Sequence, residues 1–149
     1  GNSSFNGMYF YDIANPEVQT HLHNVFYELA SEYALDGIEY DFIRFPGGNL
    51  HSFSNTITDS NLISDSGYTV HFIDAFMDEY NLTGDFKTLI LTNPTVRTNW
   101  LNFKRTTLTN TVESLSTMMK EARPGIQISA AVMPSISTAR NASLIVSPL

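Results

Sequence analysis

The run Asp36-Gly37-Ile38-Glu39-Tyr40-Asp41-Phe42-Ile43-Arg44-Phe45-Pro46 constrains this chain more than any other. Ile38, Tyr40, Phe42, Ile43 and Phe45 are aromatic or β-branched and favour a packed, pleated surface, so the run reads as a buried strand. Gly37 punctuates its start and Pro46 stops it. Glu39, Asp41 and Arg44 interrupt or end the apolar run. Burying an unpaired charge is expensive, so a strand that carries several is expected to point them at a site. With a period of two, Glu39, Asp41 and Ile43 share one face, and Ile38, Tyr40, Phe42 and Arg44 share the other.

The flanking sequence alternates strands and helices. Gly7 to Ile13 reads as an aromatic-rich strand with Asp12 near its end. Asn15-Pro16-Glu17 then opens a helix: Asn15 suits the cap, Pro16 the first turn and Glu17 the positive end of the dipole. Val18, Leu22, Val25, Phe26, Leu29, Ala30 and Tyr33 make its apolar face, to about Ala34. Strand, helix and strand with such short joints predict a βαβ unit with parallel strands. Gly47 to Ser66 reads as a long loop. Thr69 caps a second helix whose apolar face is Phe72, Ile73, Phe76, Met77 and Tyr80, ended by Asn81 to Gly84. Thr88 to Thr92 fits either a brief strand or an extended connection. Asn93-Pro94-Thr95 starts a third helix, with Val96, Trp100, Phe103, Leu108, Val112, Leu115, Met119 and Ala122 at helical spacing and Pro124-Gly125 as its stop. Ile126 to Met133 alternates as a strand, with Ile126, Ile128, Ala130 and Val132 on one face.

This order predicts an α/β protein with a parallel sheet, either an open doubly wound sheet or a (β/α)8 barrel. No glycine-rich phosphate loop follows the early strands, which disfavours a nucleotide-binding open sheet. A complete barrel takes ~250 residues, so 149 residues with three or four strands would be part of one.

Composition narrows the partners. The formal net charge of −7 lacks the clustered Lys and Arg that nucleic acid and anionic membranes require. It suits neutral or cationic small ligands. Without cysteine there is no disulfide framework and no thiolate metal site. No apolar run approaches the ~20 residues of a membrane-spanning helix. No signal peptide is visible, and Gly1-Asn2-Ser3-Ser4 reads as an internal cut. The four histidines, His21, His23, His51 and His71, show no paired metal spacing, and neither a metal nor a cofactor is expected.

Several segments resemble one family. Tyr11-Asp12-Ile13-Ala14-Asn15-Pro16-Glu17-Val18 is similar to a strand-end segment in which an Asp precedes Asn-Pro-Glu-Val. Leu35 to Pro46 is similar to the signature Val-Asp-Gly-Ile-x-x-Asp-Tyr-Ile-Arg-Tyr-Pro. Gly67-Tyr68, Trp100 with Phe103-Lys104, and Ile128-Ser129-Ala130-Ala131-Val132 follow in the same order. Together these resemble the glycosyl-hydrolase-like 10 family over roughly Tyr11 to Pro134. The resemblance implies a (β/α)8 barrel, of which residues 1–149 are an internal portion. It implies cleavage of glycosidic bonds in a poly- or oligosaccharide, for some members bacterial cell-wall glycan. An extracytoplasmic setting (periplasmic, secreted or lipid-anchored) goes with it. Trp100 to Ala122 becomes the crossover helix before the Ile126 strand, and Gly47 to Thr95 one long excursion on the face where barrel active sites lie.

Under that resemblance Asp41 is the first candidate catalytic carboxylate, against a structural ion pair with Arg44 or Arg105. Chitinase-like barrels place their catalytic acid where Ile43 stands, so their mechanism is disfavoured. Glu39 stands where the family carries a neutral polar residue. Two carboxylates on one strand face repel, and a shared proton would suit general-acid work; a charge paired inside the barrel is the plainer reading. Asp12 is the third candidate, as a carboxylate, a sugar-hydroxyl acceptor or an acceptor for loop N–H groups. Asp36 is expected only to close the turn with Gly37. Arg44, Tyr68, His51 and Trp100 are the candidate substrate contacts, with Trp100 on an apolar stripe that equally suits a core. The rival function is a non-catalytic carbohydrate-binding barrel. An incomplete barrel also leaves strand edges that invite self-association.

Overall fold

The computed structural model describes residues 3–5, 8–45 and 67–131. In chain order the elements are β1 (Ser3–Phe5), β2 (Met8–Phe10), α1 (Pro16–Glu32), β3 (Gly37–Tyr40), α2 (Val70–Glu79), α3 (Phe86–Thr92), α4 (Pro94–Ala122) and β4 (Gln127–Ala130). The chain divides into two compact units, Gly1–Asn15 with Phe45–Thr107 and Pro16–Arg44 with Leu108–Leu149. The long helix α4 contributes to both.

In the second unit β3 and β4 run parallel, with Glu39 opposite Ser129 and Tyr40 opposite Ala130. Alternation sorts their side chains. Tyr40 and Ile126 are buried and Ile38, Ile128 and Ala130 pack on the same cluster, while Glu39, Gln127 and Ser129 are exposed. Ala30 of α1 and Leu115, Met118 and Met119 of α4 complete that core. Gly37 is where the strands need a glycine: a Cβ there would stand 2.8 Å from the Gln127 carbonyl oxygen. Gly125, at φ 94°, supplies the left-handed residue after α4. The next helix end is closed from afar. Arg123 donates from Nε to the Ala30 carbonyl in the last turn of α1 at 2.8 Å and from Nη2 to the Tyr33 carbonyl at 2.6 Å, which also accepts the Leu35 N–H.

The first unit is built on aromatic rings. Phe72, Phe76, Ile90, Val96, Trp100 and Phe103 are buried together, with Phe45, Tyr68, Tyr80 and Phe86 packed against them. Rings meet mainly edge to face, as for Phe76 and Trp100 at 5.1 Å and Phe86 and Trp100 at 4.9 Å, the arrangement that ring quadrupoles favour. Each helix here starts on a side-chain cap. Thr69 Oγ1 accepts the Phe72 N–H at 3.3 Å, Asp85 Oδ2 the Thr88 N–H at 2.8 Å, and Asn93 Oδ1 the Thr95 N–H at 3.0 Å.

The helices over 70–79 and 94–122 agree with the sequence expectation, caps included. Other expectations need correction. The strand expected over Asp36–Pro46 ends at Tyr40. The Asp41 carboxylate takes the Phe42 N–H at 2.7 Å and Phe42 turns to φ 52°, which removes both from the ladder. Thr88–Thr92 is helical, within α3, because Asp85 caps it and Ile90 is buried in the aromatic cluster. The parallel partner of β3 is β4, whereas β2 pairs antiparallel with β1 at the register Ser4–Tyr9. Val25 and Tyr33 of the expected α1 face are exposed. The loop expected over Gly47–Ser66 and the strand end at Val132 and Met133 lie outside the described residues.

Candidate functional site

The second unit carries Glu39, Asp41 and Arg44, at the carboxyl end of the parallel pair. The ladder closes when the Ala131 N–H donates to the Tyr40 carbonyl at 2.8 Å. Asp41 is the next residue, exposed, with Oδ1 held by the Phe42 amide. The Arg44 N–H then donates to the Phe42 carbonyl at 2.7 Å, a tight reversal about Ile43. Arg44 lays its guanidinium over the Phe42 ring, 4.8 Å from the centroid. One register step back, the Ser129 hydroxyl donates to Glu39 Oε2 at 3.4 Å, a long bond between exposed groups on the face away from the core. Beneath them the Tyr40 hydroxyl pairs with Ser116 Oγ at 3.3 Å. Burial raises the Tyr40 pKa, and the hydrogen bond to Ser116 offsets part of that.

Phe42 is the residue that sequence reasoning missed. The sequence pattern places it in a packed strand, yet it is 52% exposed. A bulky residue in the left-handed region is a genuine outlier. Its only sequence signal is the preceding Asp, a residue type that competes with the ladder for nearby amides.

The first unit carries Asp12, Tyr68 and Trp100. Asp12 is 5% exposed. Its main-chain carbonyl accepts the Asn15 N–H at 3.0 Å and its Oδ1 the Ala14 N–H at 3.2 Å, so it shapes the turn into α1, while Oδ2 is buried with no hydrogen-bond partner. Tyr68 and Trp100 stack with centroids 5.6 Å apart. Trp100 is completely buried, with Phe103 stacked at 6.2 Å and Phe72, Phe76 and Phe86 edge-on. Its faces are occupied by the protein's own rings. Lys104 is a second charged residue of this interior. Its Nζ lies 5.3 Å from the Phe45 ring, 5.7 Å from Tyr68 and 5.6 Å from Trp100, an aromatic surround that stabilises a cation. Its helical spacing from Trp100 was the available signal.

Glu39, Asp41 and Arg44 thus belong to one unit, and Asp12, Tyr68 and Trp100 to the other. His51 lies outside the described residues. Among the described residues no group of His, Asp or Glu could hold a metal ion, and no helix is long and apolar enough to cross a membrane. No protein-family model, no curated protein and no solved structure matches the chain.

Proposed function

We propose that this chain belongs to a glycoside hydrolase of (β/α)8 type that cleaves O-glycosidic bonds in a poly- or oligosaccharide, with Asp41 as one catalytic carboxylate and Glu39 as the candidate partner. The observation that carries the reading is the placement of Asp41. It is the first residue past the carboxyl end of a parallel strand pair, directly before a residue at φ 52°. Parallel α/β folds bind and react at that end of the sheet, and backbone outliers cluster where function holds them. The motif resemblance puts its own Asp at the same position. Glu39, Gln127 and Ser129 share the exposed face of the strand pair, away from the helix-packed core. Glycosidases of this kind use two carboxyl groups, one protonating the leaving oxygen and one acting as base or nucleophile.

Replacing Asp41 by Asn in the full-length protein tests the assignment. General acid–base catalysis contributes about 10²–10⁴-fold, so release of reducing ends from glycan should fall at least ~100-fold while the melting curve stays in place. Turnover near that of the parent protein would overturn the role of Asp41. A second reading, a non-catalytic carbohydrate-binding barrel, is favoured by Ile43, which stands where chitinase-like barrels carry their acid. Glycan binding with no product under any condition would select it.

A further inference from the structure

We propose that Phe42 is the stacking platform of the Asp41 site and seats the apolar face of a neutral pyranose ring. The proposal deepens the carbohydrate reading above and rests on it.

Phe42 is expensive where it stands. Its φ of 52° is one that side chains bearing a Cβ avoid, and its ring is half in solvent. Two backbone hydrogen bonds hold it there: its amide to the Asp41 carboxylate at 2.7 Å and its carbonyl to the Arg44 amide, also at 2.7 Å. Continuing the strand would have placed the ring on the same face as Tyr40, towards the core. The reversal instead delivers it to the carboxyl end of β3, one residue from the proposed catalytic carboxylate. Arg44 covers one face of the ring, 4.8 Å from the centroid. That contact engages one face of a residue that is 52% exposed.

The chemistry around the ring selects the ligand. An aromatic face is negative and attracts the weakly positive C–H groups on the apolar side of a pyranose. Carboxylates accept hydrogen bonds from sugar hydroxyls, and Glu39 and Asp41 are exposed carboxylates three residues and one residue before Phe42 in the chain. Those carboxylates, with the chain's net charge of −7, repel a sugar that bears its own carboxylate. The Arg44 guanidinium lies over the ring, and the two carboxylates outnumber it. A neutral sugar fits this surface and a uronic acid does not.

The test is a binding measurement that needs no bond cleavage. Calorimetric titration of the full-length protein uses malto-, cello- and chito-oligosaccharides and, as the acidic counterpart, an oligogalacturonate. Phe42→Asn keeps a residue that tolerates positive φ but removes the ring; Phe42→Trp keeps an aromatic face. The expected result is binding of a neutral series by the parent, at least tenfold weaker binding by Phe42→Asn with no fall in melting temperature, and retained binding by Phe42→Trp. Each of the following overturns the proposal: no neutral oligosaccharide binds, the oligogalacturonate is preferred, Phe42→Asn binds like the parent, Phe42→Asn melts lower, or Phe42→Trp loses binding. A lower melting point would mark Phe42 as structural. Hydrolysis that survives Asp41→Asn would remove the catalytic assignment while leaving this result standing, and undiminished binding by Phe42→Asn would do the reverse.

Discussion

At the scale of single residues, polar groups of both units divide by what their neighbours do to them. Tyr40 is the clearest case, because burial and the Ser116 hydroxyl act on it in opposite directions and burial is the larger. Its raised pKa makes the neutral phenol the form that the fold prefers. The folded state therefore keeps its proton where the unfolded chain, with a tyrosine pKa of about 10, has lost it. The Tyr40 contribution is complete below pH ~10 and is lost as pH rises through the higher folded value. Absorbance titration of phenolate should show an ionisation later than that of free tyrosine, coupled to unfolding. Tyr40→Phe should abolish that late step and flatten the alkaline limb of the stability curve; an unchanged titration would refute the assignment. Asp85 behaves oppositely, its pKa lowered first by the Thr88 side-chain hydrogen bond and then by the Thr88 backbone amide. Its contribution as a cap is present above the ordinary carboxylate pKa and is lost as pH falls through the lowered one.

At the scale of elements, the join between β3 and β4 is the tightest constraint. A methyl group at position 37 would meet the Gln127 backbone oxygen at 2.8 Å, and a backbone atom cannot rotate away as a flexible side chain does. Gly37→Ala should cost about 1–3 kcal/mol, the usual range for overpacking, measurable as a lower denaturation midpoint with an unchanged m-value. Absence of any loss would mean that the strands separate more readily than their register suggests. The caps tell how much of the elements was legible in the chain. Thr69, Asn93 and the Pro124-Gly125 stop are local signals: each acts on amides or carbonyls a few residues away, so no tertiary knowledge is needed to read them. The helix at Phe86–Thr92 had such a signal in Asp85, but Thr88, Leu89, Ile90, Leu91 and Thr92 also suit a strand. Burial of Ile90 among the aromatic rings selects between them.

At the scale of the whole molecule, the described sheets are both two-stranded. Unpaired strand edges seek partners, and the proposed partial barrel would present them. Light scattering across a concentration series should show association that grows with protein concentration. A monodisperse monomer at every concentration would count against the partial-barrel reading. The candidate residues divide between the two compact units. Glu39, Asp41 and Arg44 share one unit, while Asp12, Tyr68 and Trp100 belong to the other, Trp100 in its buried cluster and Tyr68 packed against it.

By itself the amino-acid sequence determined the helices over 70–79 and 94–122, their caps and stops, and the alternation that buries Ile126 and exposes Gln127 and Ser129. Those features follow from periodicity and from hydrogen bonds spanning a few residues. Tertiary structure decided which strand lies beside β3 and, together with the local Asp41 hydrogen bond, where β3 ends and that Phe42 is exposed. A period-two pattern continues to Phe45 on paper, but a ladder needs a partner. The Asp41 carboxylate wins the Phe42 amide, and past Ala131 and Tyr40 the backbone turns instead of pairing. Trp100 was ambiguous in the sequence for a similar reason: an aromatic on an apolar stripe is core or platform according to what packs on its faces, and here other rings do.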